Sequence, residues 1–198
     1  MYQFLETIQL RDGKFKRLEF HQLRMRKALE EFYPTNTFPD LKQILENDPF
    51  PTKGLYKCRV IYDTEIRKIE YIPYTLPVIQ SLKIVETDLP SLPYKIADRS
   101  GYQKLVERKG ICDDVLIIKN GLLTDTSFCN IALYDGKLWF TPGIPLLYGV
   151  NRAQLLAEGK LIEKDINVEE LLNFQYIALF NALIEFGDIK LDISAINQ

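Results

Sequence analysis

The sequence predicts a mixed α+β protein, two strand-rich halves with helices set between the strands. Three features carry that prediction. Apolar runs of strand length are closed by turn dipeptides at Asp12-Gly13, Asp63-Thr64, Asn120-Gly121 and Asp135-Gly136. From Leu18 to Phe32 or Tyr33 the apolar residues fall instead near helical spacing. A proline-bounded piece, Tyr74–Pro77, then sets a small N-terminal part at residues 1–77 and a larger C-terminal part at residues 78–198.

In the first part, Met1–Leu10 alternates enough for a strand, and Asp12-Gly13 returns it into Lys14–Arg17. Leu18, Leu23, Met25, Ala28, Leu29 and Phe32 mark the apolar face of the next helix, which Pro34 ends. Pro39–Asn47 reads as a short helix, followed by an Asp-Pro-Phe-Pro loop. Leu55–Tyr62 and Ile66–Pro73 form a strand pair, with Cys58 and Val60 on one face and Lys57, Arg59 and Ile61 on the other.

The second part opens with a strand over Ile79–Val85, and Pro90 and Pro93 bracket the approach to Lys95. A helix capped by Asp98 or Ser100 runs through Tyr102, Leu105 and Val106 to the Lys109-Gly110 stop. Asp114–Ile118 is a buried strand that turns at Asn120-Gly121. Cys129–Tyr134 and Lys137–Thr141 pair around Asp135-Gly136, and Pro142 stops the ladder because it has no N–H to donate. A helix opened by Asn151 runs to Gly159. Ile162–Ile166 is a strand, Asn167 caps Val168–Leu172, and Tyr176–Leu179 is a buried strand leading to Asn181-Ala182-Leu183.

Composition excludes several classes. Hydrophobic content of 46% with 26% charged residues is that of an ordinary soluble globular protein. A net charge of −2 gives no broad basic field, so no nucleic-acid partner is expected. No apolar run approaches bilayer length, and the N-terminus lacks a basic region followed by an apolar core. The expectation is a cytoplasmic protein with neither membrane association nor signal peptide. Cys58, Cys112 and Cys129 cannot all pair and lack metal-ligand spacing, so they read as reduced core thiols. His21 is the sole histidine, which leaves Ser-His-Asp and His-cluster metal chemistry little to work with; no metal site is expected.

The chemistry concentrates between Asp113 and Arg152. Asp125 stands there with Ser127 and Asn130 close by in sequence. Gly149-Val150-Asn151 is a turn at a helix N-terminus, where free backbone N–H groups and the positive dipole end suit a phosphate. Lys95 lies thirty residues upstream of Asp125.

Taken in order, Lys95, Asp125 with Asn130, Thr141-Pro142 and Leu146-Leu147-Tyr148-Gly149-Val150-Asn151-Arg152 resemble the class IV aminotransferases. That family holds branched-chain and D-amino-acid aminotransferases and 4-amino-4-deoxychorismate lyase. Its pattern runs from a Schiff-base lysine to an acid in E-x-x-x-x-N, then T-P, then L-L-x-G-(I/V)-(T/N)-R. Glu6-Thr7, Asp12-Gly13 and His21-Gln22-Leu23-Arg24 are similar to its opening F-E-T, D-G and H-x-x-R, and Asn181-Ala182-Leu183 to its N-A-L turn. The chain departs from the family in four places. Asp125 replaces the usual glutamate, and Asn151 the usual threonine. Arg59-Val60-Ile61-Tyr62-Asp63 stands where many relatives have a glycine-rich pocket segment, and the extra strand and loop that relatives carry before the F-E-T segment are not expected here.

The resemblance implies the class IV fold, with pyridoxal 5′-phosphate (PLP) between two small mixed α/β subdomains, in a homodimer. It implies that Lys95 carries the cofactor and, once freed, acts as acid and base, which requires a lysine whose charged form is disfavoured. Arg24 would reach the phosphate, together with the Val150 and Asn151 backbone and the Asn151 amide. Asp125, flanked by Ser127 and Asn130, would keep the pyridine nitrogen protonated, which makes the ring an electron sink. Asn181 completes the cofactor set that the resemblance implies.

The family divides by the fate of the carbanion. A transaminase reprotonates at the cofactor carbon, whereas the lyase expels the group at Cβ and gives pyruvate and 4-aminobenzoate, a step of folate biosynthesis. Lyases tend to carry arginine four residues after the lysine, as Arg99 does here; branched-chain transaminases favour tyrosine one position later, where this chain has Ser100. A cation at that position suits an acidic substrate. The expectation is therefore a PLP-dependent 4-amino-4-deoxychorismate lyase taking a small amino substrate, with Arg99 binding it. A branched-chain or D-amino-acid transaminase is the alternative, and a non-catalytic PLP-binding homologue a further one.

Overall fold

The computed structural model describes residues 3–34 and 37–197. Strand β1 (Phe4–Arg11) turns at Asp12-Gly13, with φ of 47° and 75°, into β2 (Lys14–Phe15). Two successive positive φ angles give the tight hairpin turn whose twist matches that of the strands. Met1 and Tyr2, the start of the expected strand, lie outside the described residues. The sheet continues through β3 (Leu55–Tyr62) and β4 (Ile66–Pro73), in the order β2-β1-β3-β4 and antiparallel throughout. Cys58, Val60 and Tyr62 point inward, the period of two that the sequence predicts.

Helix α1 (Leu18–Phe32) lies against β1, and Tyr33 is extended ahead of Pro34. Its buried stripe is His21, Arg24, Met25, Ala28 and Leu29. Leu23, expected on the apolar face, is 56% exposed. The inward positions at that end of the helix go to His21 and Arg24, because β1 offers them a carboxylate. Helix α2 (Leu41–Asn47) begins at Asp40, whose side chain accepts from the Gln43 N–H at 2.9 Å.

The chain divides into two compact units, Met1–Leu76 with Pro93–Asp98, and Pro77–Leu92 with Arg99–Gln198. The short piece that carries Lys95 thus clusters with the first.

The second unit is built on a mixed sheet. β5 (Leu82–Glu86) runs parallel to β6 (Asp114–Lys119), which turns at Asn120-Gly121 into β7 (Leu122–Thr126). β8 (Asn130–Tyr134) and β9 (Trp139–Pro142) follow, and β10 (Ile162–Lys164) pairs parallel with β9. β11 (Tyr176–Phe180) lies antiparallel to β8 along its whole length and also pairs with β12 (Ile189–Asp192). β13 (Ile196–Asn197) closes the far edge beside β5. The sequence reading did not foresee β12 or β13; both are short and exposed on alternate residues.

Two helices cover this sheet. α3 (Ser100–Val106) has Arg99 at its N-cap with no side-chain cap, so neither Asp98 nor Ser100 caps it as expected. α4 (Val150–Ala157) starts at Gly149, before the expected Asn151, whose side chain is used elsewhere. Asn167 does cap, as expected, a 3₁₀ turn over Val168–Asn173, with Glu170 returning the bond. Val85, Leu105, Val115, Ile117 and Leu146 form one core cluster, and Ala132, Leu155, Leu161 and Phe180 another.

Candidate active site

Lys95 sits in an extended piece that β1 holds from the side. The Leu5 N–H donates to the Lys95 carbonyl and the Ala97 N–H to the Gln3 carbonyl, both at 2.9 Å. Tyr94, its neighbour, is buried edge-on to Phe4 at 5.5 Å and Phe32 at 5.0 Å, and its hydroxyl donates to Glu31 at 3.2 Å. With the backbone anchored on both sides, the ε-amine has a restricted reach, and Nζ donates to Thr7 Oγ1 at 3.0 Å.

Next to Thr7 on β1 is Glu6, fully buried, and its carboxylate gathers two side chains from α1. Oε1 accepts from Arg24 Nε at 2.9 Å, and Oε2 from Arg24 Nη2 and from His21 Nδ1, each at 2.5 Å. The spacing of three residues puts His21 and Arg24 on one helix face. Burial alone would raise the Glu6 carboxyl, but the Arg24 charge and the His21 hydrogen bond outweigh it and hold it at about 2. Burial pulls His21 below its ordinary range, which favours the neutral ring, with Nδ1–H as the donor. Lys95 contributes a further positive charge to the field at His21.

In the second unit, β7 and β8 meet at Asp125 and Asn130 across the tight turn Thr126–Cys129, whose ends are joined by the Thr126 N–H and the Cys129 carbonyl at 2.8 Å. The Asn130 amide donates to Asp125 Oδ1 and to the Leu147 carbonyl, each at 2.8 Å. The Leu147 N–H returns to Asp125 Oδ2 at 2.9 Å. This closed ring of three residues fixes the segment leading into α4. Gly149 is required here for space rather than for backbone conformation, since a Cβ would fall on Asn130 Oδ1. Burial pushes the Asp125 carboxyl up to about 7, against the Leu147 N–H, the Asn130 amide and the charge of Arg152.

Asn151 is buried, and its amide donates to the Asn181 carbonyl at 2.8 Å and the Ile184 carbonyl at 3.2 Å. Both amide protons are therefore committed, and the expected side-chain donation from Asn151 to a phosphate does not fit this geometry. What Val150 and Asn151 can offer an anion is the backbone N–H of a first helical turn, which has no partner within the helix. Asn181 organises its own turn, its Oδ1 accepting from the Leu183 N–H at 2.7 Å and the Ile184 N–H at 3.0 Å.

The Ser127 carbonyl accepts from Arg99 Nη2 at 2.9 Å, and the guanidinium carbon lies 3.5 Å from the centre of the Tyr102 ring. Burial lowers Arg99 from its ordinary range while Tyr102 and the Asp125 charge support the cation. No ion pair joins Arg99 to Asp125 among the described residues.

The structure thus gathers Lys95 and Arg24 in the first unit, and Asp125, Ser127, Asn130, Val150, Asn151, Asn181 and Arg99 in the second. Sequence reasoning gave no role to Thr7, Glu6 or Tyr102. For Glu6 and Thr7 the signal was in β1, where Glu, Thr and Gln interrupt an apolar strand and are nevertheless buried; for Tyr102 it was the three-residue step from Arg99.

Comparison with known proteins agrees with the residue pattern. The family model for amino-transferase class IV matches residues 101–191. An uncharacterized protein of Haemophilus influenzae is 35% identical over 186 residues, 92% of this chain and 98% of that one. The crystal structure titled "putative 4-amino-4-deoxychorismate lyase" from Haemophilus somnus 129PT superposes with a TM-score of 0.85 at 32% identity, over 93% of this chain and 98% of that chain. A Schizosaccharomyces pombe protein named "Putative aminodeoxychorismate lyase" is 29% identical over 127 residues, 59% of this chain and 54% of its own length. With its fold, its ordered motif residues and relatives of matching length, the chain belongs to the class IV aminotransferase family.

Proposed function

We propose that the protein is a PLP-dependent lyase that converts 4-amino-4-deoxychorismate to pyruvate and 4-aminobenzoate. The observation that carries this reading is Arg99, a half-buried cation held by a ring face and a backbone carbonyl rather than neutralised by a carboxylate. Its charge remains available to a substrate bearing two carboxylates. The lyase names of the Haemophilus somnus and fission-yeast relatives support the same assignment.

The residues present fit the cofactor. A buried acid with fixed orientation, a half-buried lysine amine steadied by a hydroxyl, a buried arginine and a helix N-terminus are the groups that it requires. When bound, PLP supplies an electron sink for the bond pair released at the substrate Cα. Lys95 would hold the aldehyde carbon through Nζ and, once the substrate amine displaces it, take up the Cα proton, with Thr7 Oγ1 steadying that nitrogen. Asp125 would keep a proton on the ring nitrogen. Its carboxylate cannot turn, because Asn130 and Leu147 each hold one oxygen. Arg24 and the Val150 and Asn151 N–H groups would bind the phosphate, Ser127 and Asn181 would shape the surrounding turns, and Arg99 would bind a substrate carboxylate.

Cytoplasmic residence and assembly as a homodimer belong to the same proposal. No helix among the described residues is long and apolar enough to cross a membrane. The test is incubation of the PLP-loaded protein with 4-amino-4-deoxychorismate, following pyruvate and 4-aminobenzoate together. Equal release of both without an added keto acid is expected. Amino exchange that requires a keto acid would make the protein a transaminase, and neither activity would make it a non-catalytic homologue.

A further inference from the structure

We infer that Glu6 is the resident counter-ion of Arg24, a positioning residue that neutralises and aims the guanidinium before any anion arrives and leaves Nη1 as its contact for the cofactor phosphate. The inference rests on the reading that Arg24 is a phosphate ligand. It goes beyond that reading by assigning Glu6 and His21, and by stating what the phosphate must share.

The geometry is specific. The Nε and Nη2 edge of Arg24 is taken by both oxygens of Glu6, a fork-to-fork pair that fixes the plane of the guanidinium. Nη1 makes no hydrogen bond among the described residues, and Arg24 keeps 7% of its surface exposed where Glu6 and His21 keep none. His21 Nδ1 closes the remaining side of Glu6 Oε2, so the carboxylate is saturated from within the unit and has no need of an outside partner. Tyr62 on β3 and Lys95 are the other titratable groups whose charge bears on this cluster.

Without Glu6, Arg24 would be a buried cation with no partner, which is strongly destabilising. An anion that binds only the folded state would then restore the pairing and with it the stability. With Glu6 present, an anion adds a contact but rescues nothing. Dependence of folding on phosphate should therefore appear only when Glu6 is removed and Arg24 is kept.

The experiment compares thermal midpoints of wild type, E6Q, R24Q and the double variant E6Q/R24Q, in phosphate-free buffer and with inorganic phosphate, PLP or pyridoxal. E6Q should melt well below wild type without anion. Inorganic phosphate or PLP should recover at least half of that loss, whereas wild type shifts far less and pyridoxal, lacking the phosphate, recovers less than PLP. E6Q/R24Q should be more stable than E6Q and unresponsive to inorganic phosphate. If E6Q melts like wild type, or E6Q/R24Q is no more stable than E6Q, Glu6 is not the counter-ion; the second comparison holds even if E6Q folds poorly. If E6Q is destabilised and E6Q/R24Q restored, yet neither phosphate nor PLP raises the midpoint of E6Q, the assignment of Arg24 to the phosphate is what fails.

Discussion

Asp125 and Asn130 face each other across the β7–β8 turn, and the amide of one holds the carboxylate of the other at 2.8 Å. Because the same amide also holds the Leu147 carbonyl, this pair sets the path of the chain into α4 and the close approach of Gly149. Gly149→Ala should destabilise the protein by about 1–3 kcal/mol through overpacking against Asn130. In the background of Asn130→Ala, which removes the atom that is struck, the same change should cost clearly less, a departure from additivity that urea unfolding of the four proteins would measure.

The pH dependence of stability should carry the mark of Asp125. Its folded-state value, about 7, lies above the ordinary 3.8. Between those limits the cofactor-free folded chain keeps a proton that the unfolded chain releases. The contribution is fully present below about 3.8 and is lost as pH rises through about 7, up to roughly 4 kcal/mol if the group titrates alone. Urea midpoints of cofactor-free protein from pH 4 to 8 should fall across this window, and Asp125→Asn should flatten the fall.

Kinetics should separate the two roles of the same residue. Asp125→Asn cannot hold a ring proton, because an amide carries no charge to balance it, and kcat should fall at least about a hundredfold. Affinity for PLP should fall much less, since Lys95 and the phosphate contacts are untouched. Asp125→Glu should retain substantial activity, and steady-state rates beside a PLP titration would measure both.

Thr7 offers a milder test. Thr7→Val removes the hydroxyl that Lys95 Nζ meets at 3.0 Å and keeps the branched shape. A lost hydrogen bond to a charged group is worth about 1.5–3 kcal/mol, so kcat should drop by roughly ten- to a hundredfold.

Much of this fold could be read from local chemistry. Asp12-Gly13 and Asn120-Gly121 announce hairpin turns, and their positive φ angles bear this out. Leu55–Tyr62 and Ile66–Pro73 form strands with the bounds expected from the sequence, on either side of the Asp63-Thr64 turn. What failed depended on contacts between distant parts of the chain. Leu23 looks like a core residue until Glu6, on another element, draws His21 and Arg24 inward. Asn151 looks like a cap or a phosphate donor until the carbonyls of Asn181 and Ile184 claim its amide. Among the candidate site residues, positions in the ordered motif were legible, whereas partners were not. No spacing rule connects Thr7 to Lys95, whereas Arg99 and Tyr102 stand three residues apart at the start of α3, a helical neighbour spacing.

Reduction with borohydride followed by peptide mapping shows whether Lys95 carries PLP. A stable pyridoxyl group should appear on Lys95 in the PLP-loaded protein and none in Lys95→Ala. A label on Lys57 or Lys109, or an unlabelled Lys95 in protein that nevertheless turns over substrate, would contradict that assignment.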